Sequence, residues 1–239
     1  MKDVRLIPYL KKLEHSYSFG VFPTIELLEN KPENVVKVLI HSRGKQNSGV
    51  QKILSLCQKK GIRTESNDGL IQKIGGTENS YAVGVFMKYK EEIEPGKDHL
   101  VLVSPEDTGN LGTMIRTALG FGIRNIAIIR PAVDCFDPKT VRASMGSIFG
   151  VKIEYFDYFS DYQKKHDNKC LVFMTNAKKE LSEVKFVSPF SLVFGSESAG
   201  LEESYKTTGE AIYIKQTKDI DSLNLSIAAG IAMYRSFVN

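Results

Sequence analysis

The sequence predicts an α/β protein, with a smaller N-terminal α/β domain ahead of a larger one built on a mostly parallel sheet. Three observations carry this. Short β-branched apolar runs alternate with stretches whose apolar residues recur at helical spacing, the pattern of strands joined by crossover helices. With 42% apolar and 25% charged residues, the 239-residue chain has material for two cores. One clear linker candidate separates them: Glu91–Asp98, where four acidic residues surround a Pro-Gly pair. The expected domains are therefore 1–92 and 98–239.

Residues 1 to about 30 start basic and turn aromatic (Tyr9, Tyr17, Phe19, Phe22), reading as a lead-in of one helix or strand. VVKVLI at 35–40 is strand-like, and 50–60 is helical, with Ile53, Leu54 and Cys57 at helical spacing. A short helix over 67–74, capped by Asn67 or Asp68, leads through a glycine turn to a strand at 81–89. In the second part, strands are expected at 99–103, 125–129, 151–156, 170–175, 192–194 and 211–214. Helices fall at 111–121, 141–150, 161–167 and from Ser222 to the end.

The net charge of +4, from 32 basic and 28 acidic side chains, permits a polyanionic partner without demanding one. Three cysteines (Cys57, Cys135, Cys170) have neither disulfide-framework nor zinc spacing and read as buried thiols of a reducing compartment. Four scattered histidines form no metal cluster, so no metal is expected. The first residues lack the continuous apolar segment of a signal peptide, and no run has membrane-spanning length. A cytoplasmic protein without membrane attachment is the expectation.

Polar groups interrupt apolar elements at three places where an open α/β sheet would end its strands and bind ligands. In Thr108–Gly122, Gly109 and Asn110 turn the chain into a helix, and Arg116 follows within it. A helix start with a guanidinium suits a phosphate or ribose; the bland alternative is a capped helix with a surface arginine. In FGSESAG, Phe194 to Gly200, two glycines bracket Ser196 and Glu197, so backbone can approach a small ligand closely. An ordinary strand-to-helix turn with Glu197 in solvent is the rival. No dinucleotide or nucleophile-elbow fingerprint is present. Ser222, as N-cap, opens a helix with Leu223, Asn224 and Ser226 beyond it, Asn224 offering a donor and an acceptor; the bland alternative is a capped, mostly buried helix with Leu223, Ile227, Gly230, Ile231 and Tyr234 on one packed face. A basic scatter in the first part (Arg43, Lys45, Lys52) and Arg142 in the second are candidate RNA contacts, against an equally ordinary solvated surface.

Taken together, these motifs resemble those of the SpoU/TrmH family of SPOUT methyltransferases. Asn110, Gly112, Arg116, Thr117, Ala118, Phe121 and Gly122 match its first motif. Leu192–Gly195, Glu197 and Gly200 match the second, and Ser222, Leu223, Asn224, Ser226 and Ala228 the third. The resemblance implies a C-terminal trefoil-knotted domain, S-adenosylmethionine as cofactor, methyl transfer to a ribose 2'-hydroxyl of RNA (rRNA favoured over tRNA) and a homodimer. It implies catalytic or site-shaping roles for Arg116, Asn110, Glu197 and Asn224. Phe194, Gly195, Gly200, Ile214, Gln216, Ser222, Leu223 and Ser226 would hold the cofactor. The first domain would be the small ribosomal-protein-like substrate-binding module. One departure stands out: the third motif is usually introduced by Ile-Pro-Met-x-Gly, but Ile214 is followed by Lys215, Gln216, Thr217 and Lys218. That departure motivates a rival reading, a knotted RNA-binding protein with weak or no catalysis.

Overall fold

A computed structural model of the chain describes residues 4–238. The chain divides into two compact units. One runs to Tyr89 and takes in Asp134–Gly150; the other comprises Lys90–Val133 and the chain from Val151 onward.

In the first unit the lead-in holds both a strand, β1 (His15–Phe19), and a helix, α1 (Val21–Asn30). The sequence suggested one helix or strand where there are both, and the helix accepts Pro23 in its first turn, where a missing N–H costs nothing. Then come β2 (Val35–Ile40), α2 (Ser48–Lys60), β3 (Thr64–Ser66), α3 (Asp68–Lys73) and β4 (Ala82–Met87). The strands form a mixed sheet in the order β1-β4-β2-β3, with only the β2–β3 pair parallel. Asn47 caps α2 by accepting from Gly49 N and Val50 N (2.9 and 3.2 Å). Gly61, at φ +65°, ends it in the left-handed region that favours glycine.

Residues 134–150, expected with the C-terminal part, pack in this first unit instead. Ser16 Oγ donates to Phe136 O (2.5 Å), and Phe86 meets Phe136 and Phe149 edge-on. Asp134 accepts from Lys88 Nζ (2.8 Å) and Tyr9 Oη (2.5 Å). Burial acts to raise the Asp134 pKa, but these donors outweigh it and hold the carboxyl below its ordinary range. The helix expected over 141–150 is α5, Pro138–Ala143, with a separate single turn at Ser147–Gly150. Between them Met145 and Gly146 take positive φ, which no continuous helix accommodates.

The second unit is a seven-stranded sheet in which every pair is parallel. Its elements are β5 (His99–Val103), α4 (Thr108–Gly120), β6 (Asn125–Ile129), β7 (Lys152–Phe156), α6 (Phe159–Lys165), β8 (Lys169–Phe173), β9 (Lys179–Glu180), β10 (Phe190–Phe194), β11 (Glu210–Tyr213) and α7 (Leu225–Phe237), where α5 in chain order precedes β7. The strand order is β7-β6-β5-β10-β8-β11-β9. Strands β6 and β10 are buried along their whole length, as expected of a sheet covered on both faces. The acidic stretch 91–98 is not a free linker. Ile93 is buried, Ile93 N donates to Glu154 Oε2 (3.0 Å) and Glu94 N to Asn125 Oδ1 (2.9 Å), laying the segment on β6 and β7. Among the described residues no helix is long and apolar enough to cross a membrane.

Candidate active site

The sheet of the second unit ends its strands β5, β10 and β11 in three polar turns, and these meet. Ser104, in the left-handed region at φ 53°, breaks β5 and sends the chain into the turn ahead of α4. Asp107 caps that helix, its Oδ1 accepting from Asn110 N at 2.7 Å. The helix therefore starts at Thr108, three residues earlier than the apolar pattern suggests, and Gly109 and Asn110 lie in its first turn. Likewise α7 is capped by Asn224 and not by Ser222: Asn224 Oδ1 accepts from Ser226 N (2.9 Å), Ser226 Oγ (2.7 Å) and Ile227 N (3.4 Å).

Glu197 joins the two helix starts. Its Oε2 accepts from Glu106 N (2.9 Å); its Oε1 accepts from Asp107 N (3.2 Å) and Asn110 Nδ2 (3.1 Å). Asn110 Oδ1 in turn accepts from Asn224 Nδ2 at 3.2 Å. The direction of this relay is forced at both ends. A carboxylate only accepts, so Asn110 must present its amide nitrogen to Glu197; the helix N–H groups only donate, so Asn224 must present its oxygen to α7. Far from standing in solvent, Glu197 ties together all three motif regions.

The turn after β10 leaves no room for a side chain at Gly195. A Cβ there would lie 2.1 Å from the Gly200 carbonyl carbon and 2.5 Å from Leu201 N. Gly200 N closes the turn onto Ser196 O (3.0 Å), and Ser198 Oγ donates to Glu106 Oε1 (2.7 Å). Beside this turn lies a cavity of about 810 Å³, within the size range of small-molecule sites. Phe173 and Phe194, stacked with ring centroids 4.4 Å apart, form part of its apolar wall. Residues of the 214–225 stretch also line it, and within that stretch Gln216 Nε2 donates to Asp221 O (3.2 Å).

Of the residues singled out in the sequence, Phe194, Gly195, Glu197, Gly200, Ile214, Gln216, Ser222, Leu223 and Asn224 line this cavity. Asn110 and Ser226 stand one hydrogen bond behind it, each bonded to Asn224. Arg116 is exposed on α4 and, among the described residues, has no ion-pair partner. Arg43 and Lys52 are exposed but paired, with Glu78 (2.5 Å) and Glu29 (2.7 Å), whereas Lys45 and Arg142 are exposed without such a partner among the described residues. Sequence reading missed Asp107, Glu106, Phe173 and Asp221. The Asp107 signal was available as an Asp three residues ahead of an N–H in a helical run; Phe173 reads only as a strand residue until its ring is seen against Phe194.

Comparison with known proteins places these features. Residues 97–234 match the model of the SpoU rRNA Methylase family. The chain is 30% identical over 202 residues to an uncharacterized tRNA/rRNA methyltransferase of Archaeoglobus fulgidus, covering 82% of this chain and 89% of that one. It is 27% identical to the 23S rRNA (guanosine-2'-O-)-methyltransferase RlmB of Acinetobacter baylyi, covering 92% and 96% of the two. Its structure is similar to that of the AdoMet-bound rRNA methyltransferase from Sinorhizobium meliloti: TM-score 0.78, 25% identity, covering 93% of this chain and 87% of that one.

Proposed function

Since the chain belongs to the SpoU rRNA methylase family and has its knotted SPOUT fold, we propose that it methylates a ribose 2'-hydroxyl of RNA with S-adenosylmethionine. rRNA is favoured over tRNA as the substrate. The observation that carries the reading is the Glu197–Asn110–Asn224 relay, which ties the turn after β10 to the starts of α4 and α7 beside one cavity. The cavity suits the cofactor. A stacked aromatic pair and Ile214 and Leu223 give apolar wall, while Gly195 and Gly200 add lining without side chains. The altered loop 215–218 contributes Gln216, Thr217 and Lys218 to the same wall, so its departure from the family pattern does not remove the site.

S-adenosylmethionine, when bound, supplies a methyl group already activated on a sulfonium, so the chain's tasks are alignment and charge control. Overall an O–C bond forms at the 2'-oxygen, the S–C bond breaks with its electron pair left on sulfur, and the hydroxyl proton passes to solvent. Glu197, Asn110 and Asn224 are positioning residues. They hold the turn after β10 against the starts of α4 and α7 by hydrogen bonds already made. Arg116, exposed and uncommitted, binds a phosphate beside the target ribose and stabilises the developing alkoxide. It is not the base, because a guanidinium keeps its protons.

The first unit is the RNA-gripping module. It carries sixteen basic against ten acidic side chains, a net +6, while the second carries sixteen against eighteen, a net −2. Lys45 and Arg142 are its open phosphate contacts; Arg43 and Lys52 would exchange a carboxylate for a phosphate. The active form is a homodimer. Ile227, Ile231, Tyr234 and Phe237 on α7 are 39–63% exposed, an apolar face that a second copy would cover. Three free buried cysteines fit a reducing compartment, and we place the activity in the cytoplasm.

The test is titration calorimetry with S-adenosylmethionine, followed by methyl transfer from the tritiated cofactor to unmodified rRNA and tRNA. Micromolar cofactor binding with label in nuclease-resistant 2'-O-methyl dinucleotides is expected. Cofactor binding without transfer to any RNA would overturn the catalytic reading in favour of a knotted RNA-binding protein.

A further inference from the structure

Arg130 and Tyr158 lie beyond the cavity, yet a continuous set of contacts joins them to the turn that Glu197 holds. Strands β5, β6 and β7 are neighbours in one parallel sheet, so their C-terminal ends share an edge. At that edge Val133 N donates to Pro105 O (3.0 Å), in the same turn whose next N–H bonds Glu197. Tyr155 Oη donates to Val133 O (3.1 Å), and the Arg130 guanidinium lies 4.9 Å over the Tyr155 ring. Arg130 N donates to Phe156 O (2.9 Å), and its side chain reaches Asp157 at 3.2 Å. Tyr158, the next residue, is 70% exposed. The end of β7 lies two strand spacings, roughly 10 Å, from the end of β5.

These groups have the chemistry of a nucleotide subsite. Stacking on Tyr155 fixes the plane of the guanidinium and leaves N–H edges for a phosphate. The pair with Asp157 is no obstacle, because side chains 53% and 73% exposed hold one another weakly and exchange readily for a polyanionic backbone. A tyrosine ring left open to solvent, at the edge where the sheet binds its substrates, is a surface on which any base stacks.

We propose that Arg130 and Tyr158 bind a nucleotide flanking the methylated one, Arg130 on its phosphate and Tyr158 against its base. For the nature of the substrate this rests on the methyl-transfer reading; its place rests on the contacts above. Because stacking does not select among bases, the subsite fixes how the RNA is laid across the sheet edge and not which base is chosen. It requires the flanking nucleotide to be unpaired.

The experiment uses the full chain and large-subunit rRNA transcribed in vitro, hence free of methyl groups, with filter binding over a range of salt. Tyr158→Ala should weaken binding about 10-fold, Tyr158→Phe should restore it, and Arg130→Gln should flatten the log–log salt slope by about 0.7. Calorimetry with S-adenosylmethionine on each variant is the control for a folded cofactor site. Binding by Tyr158→Ala within about two-fold of wild type, or an unchanged slope for Arg130→Gln, would overturn the subsite, as would wild-type protein that does not bind this RNA. Wild type that binds the rRNA but transfers no methyl group would refute the catalytic reading and leave the subsite judged by the same binding curves.

Discussion

Replacing Glu197 with glutamine changes one atom and tests the relay directly. The carboxylate accepts three hydrogen bonds, from Glu106 N, Asp107 N and Asn110 Nδ2. A glutamine has one acceptor oxygen, and its best placement faces the two donors now on Oε1. Its NH2 then meets the N–H of Glu106, donor against donor. One charge-assisted bond is lost, at about 1.5–3 kcal/mol, and two others fall to neutral strength, roughly 1 kcal/mol less each. Water reaches the partly exposed turn and recovers some of this, leaving a net cost of about 2–3 kcal/mol. That cost falls on the turn and not on the apolar cores, so the protein stays folded. The expected outcome is S-adenosylmethionine affinity weakened about 30- to 150-fold in titration calorimetry, with only a small shift in Tm. Cofactor affinity within two-fold of wild type would show that the carboxylate does not hold the site together.

Four further outcomes are expected. Gly195→Ala forces the backbone at Gly200 and Leu201 to move by about 1 Å or more, so cofactor binding should be lost while circular dichroism is unchanged. Lys88→Met leaves Asp134 buried without its counter-ion, and denaturant titration should show the first unit destabilised by about 3 kcal/mol. His166 is 5% exposed, and neither ring nitrogen has a hydrogen-bond partner among the described residues. Burial, then the neighbouring His99 and Lys165, lowers its pKa from 6.5 to about 4 against the opposing pull of Glu154. Unfolded chain takes up the proton first, so stability is full above pH 6.5 and falls between 6.5 and about 4. His166→Phe, which keeps the ring contacts to Phe156 and Tyr162, should lessen the Tm drop across that window. Ile231→Glu places a charge on the exposed apolar face of α7 and should shift sedimentation from dimer to monomer without loss of helix content.

What the sequence revealed depended on how local the cause was. The strands of the parallel sheet were legible because burial on both faces makes each a short unbroken apolar run, as in NIAII and FSLVF. The face of α7 was misread for the opposite reason. Its apolar residues run all the way round, so spacing cannot tell inside from outside. The packed side proved to be Ala229, Ala232 and Met233, with the larger Ile227, Ile231 and Tyr234 left outward. Size was the missed signal, since small residues let the helix approach α4 closely while the large ones stay exposed. The membership of 134–150 was out of reach because its partner Ser16 lies 120 residues from Phe136. The site divides in the same way. Each motif shows its own glycines and caps locally, but Glu197 and Asn110 are 87 residues apart and Asn110 and Asn224 are 114 apart. No local pattern says that one asparagine must donate to a glutamate with one end and accept from an asparagine with the other. Only the assembled sheet brings the three together, and the acceptor-only carboxylate and donor-only helix start then leave each amide one orientation. Such a relay has no tolerance for exchanging acceptor and donor, which is why three modest polar side chains, each with an unremarkable local reading, act as one unit.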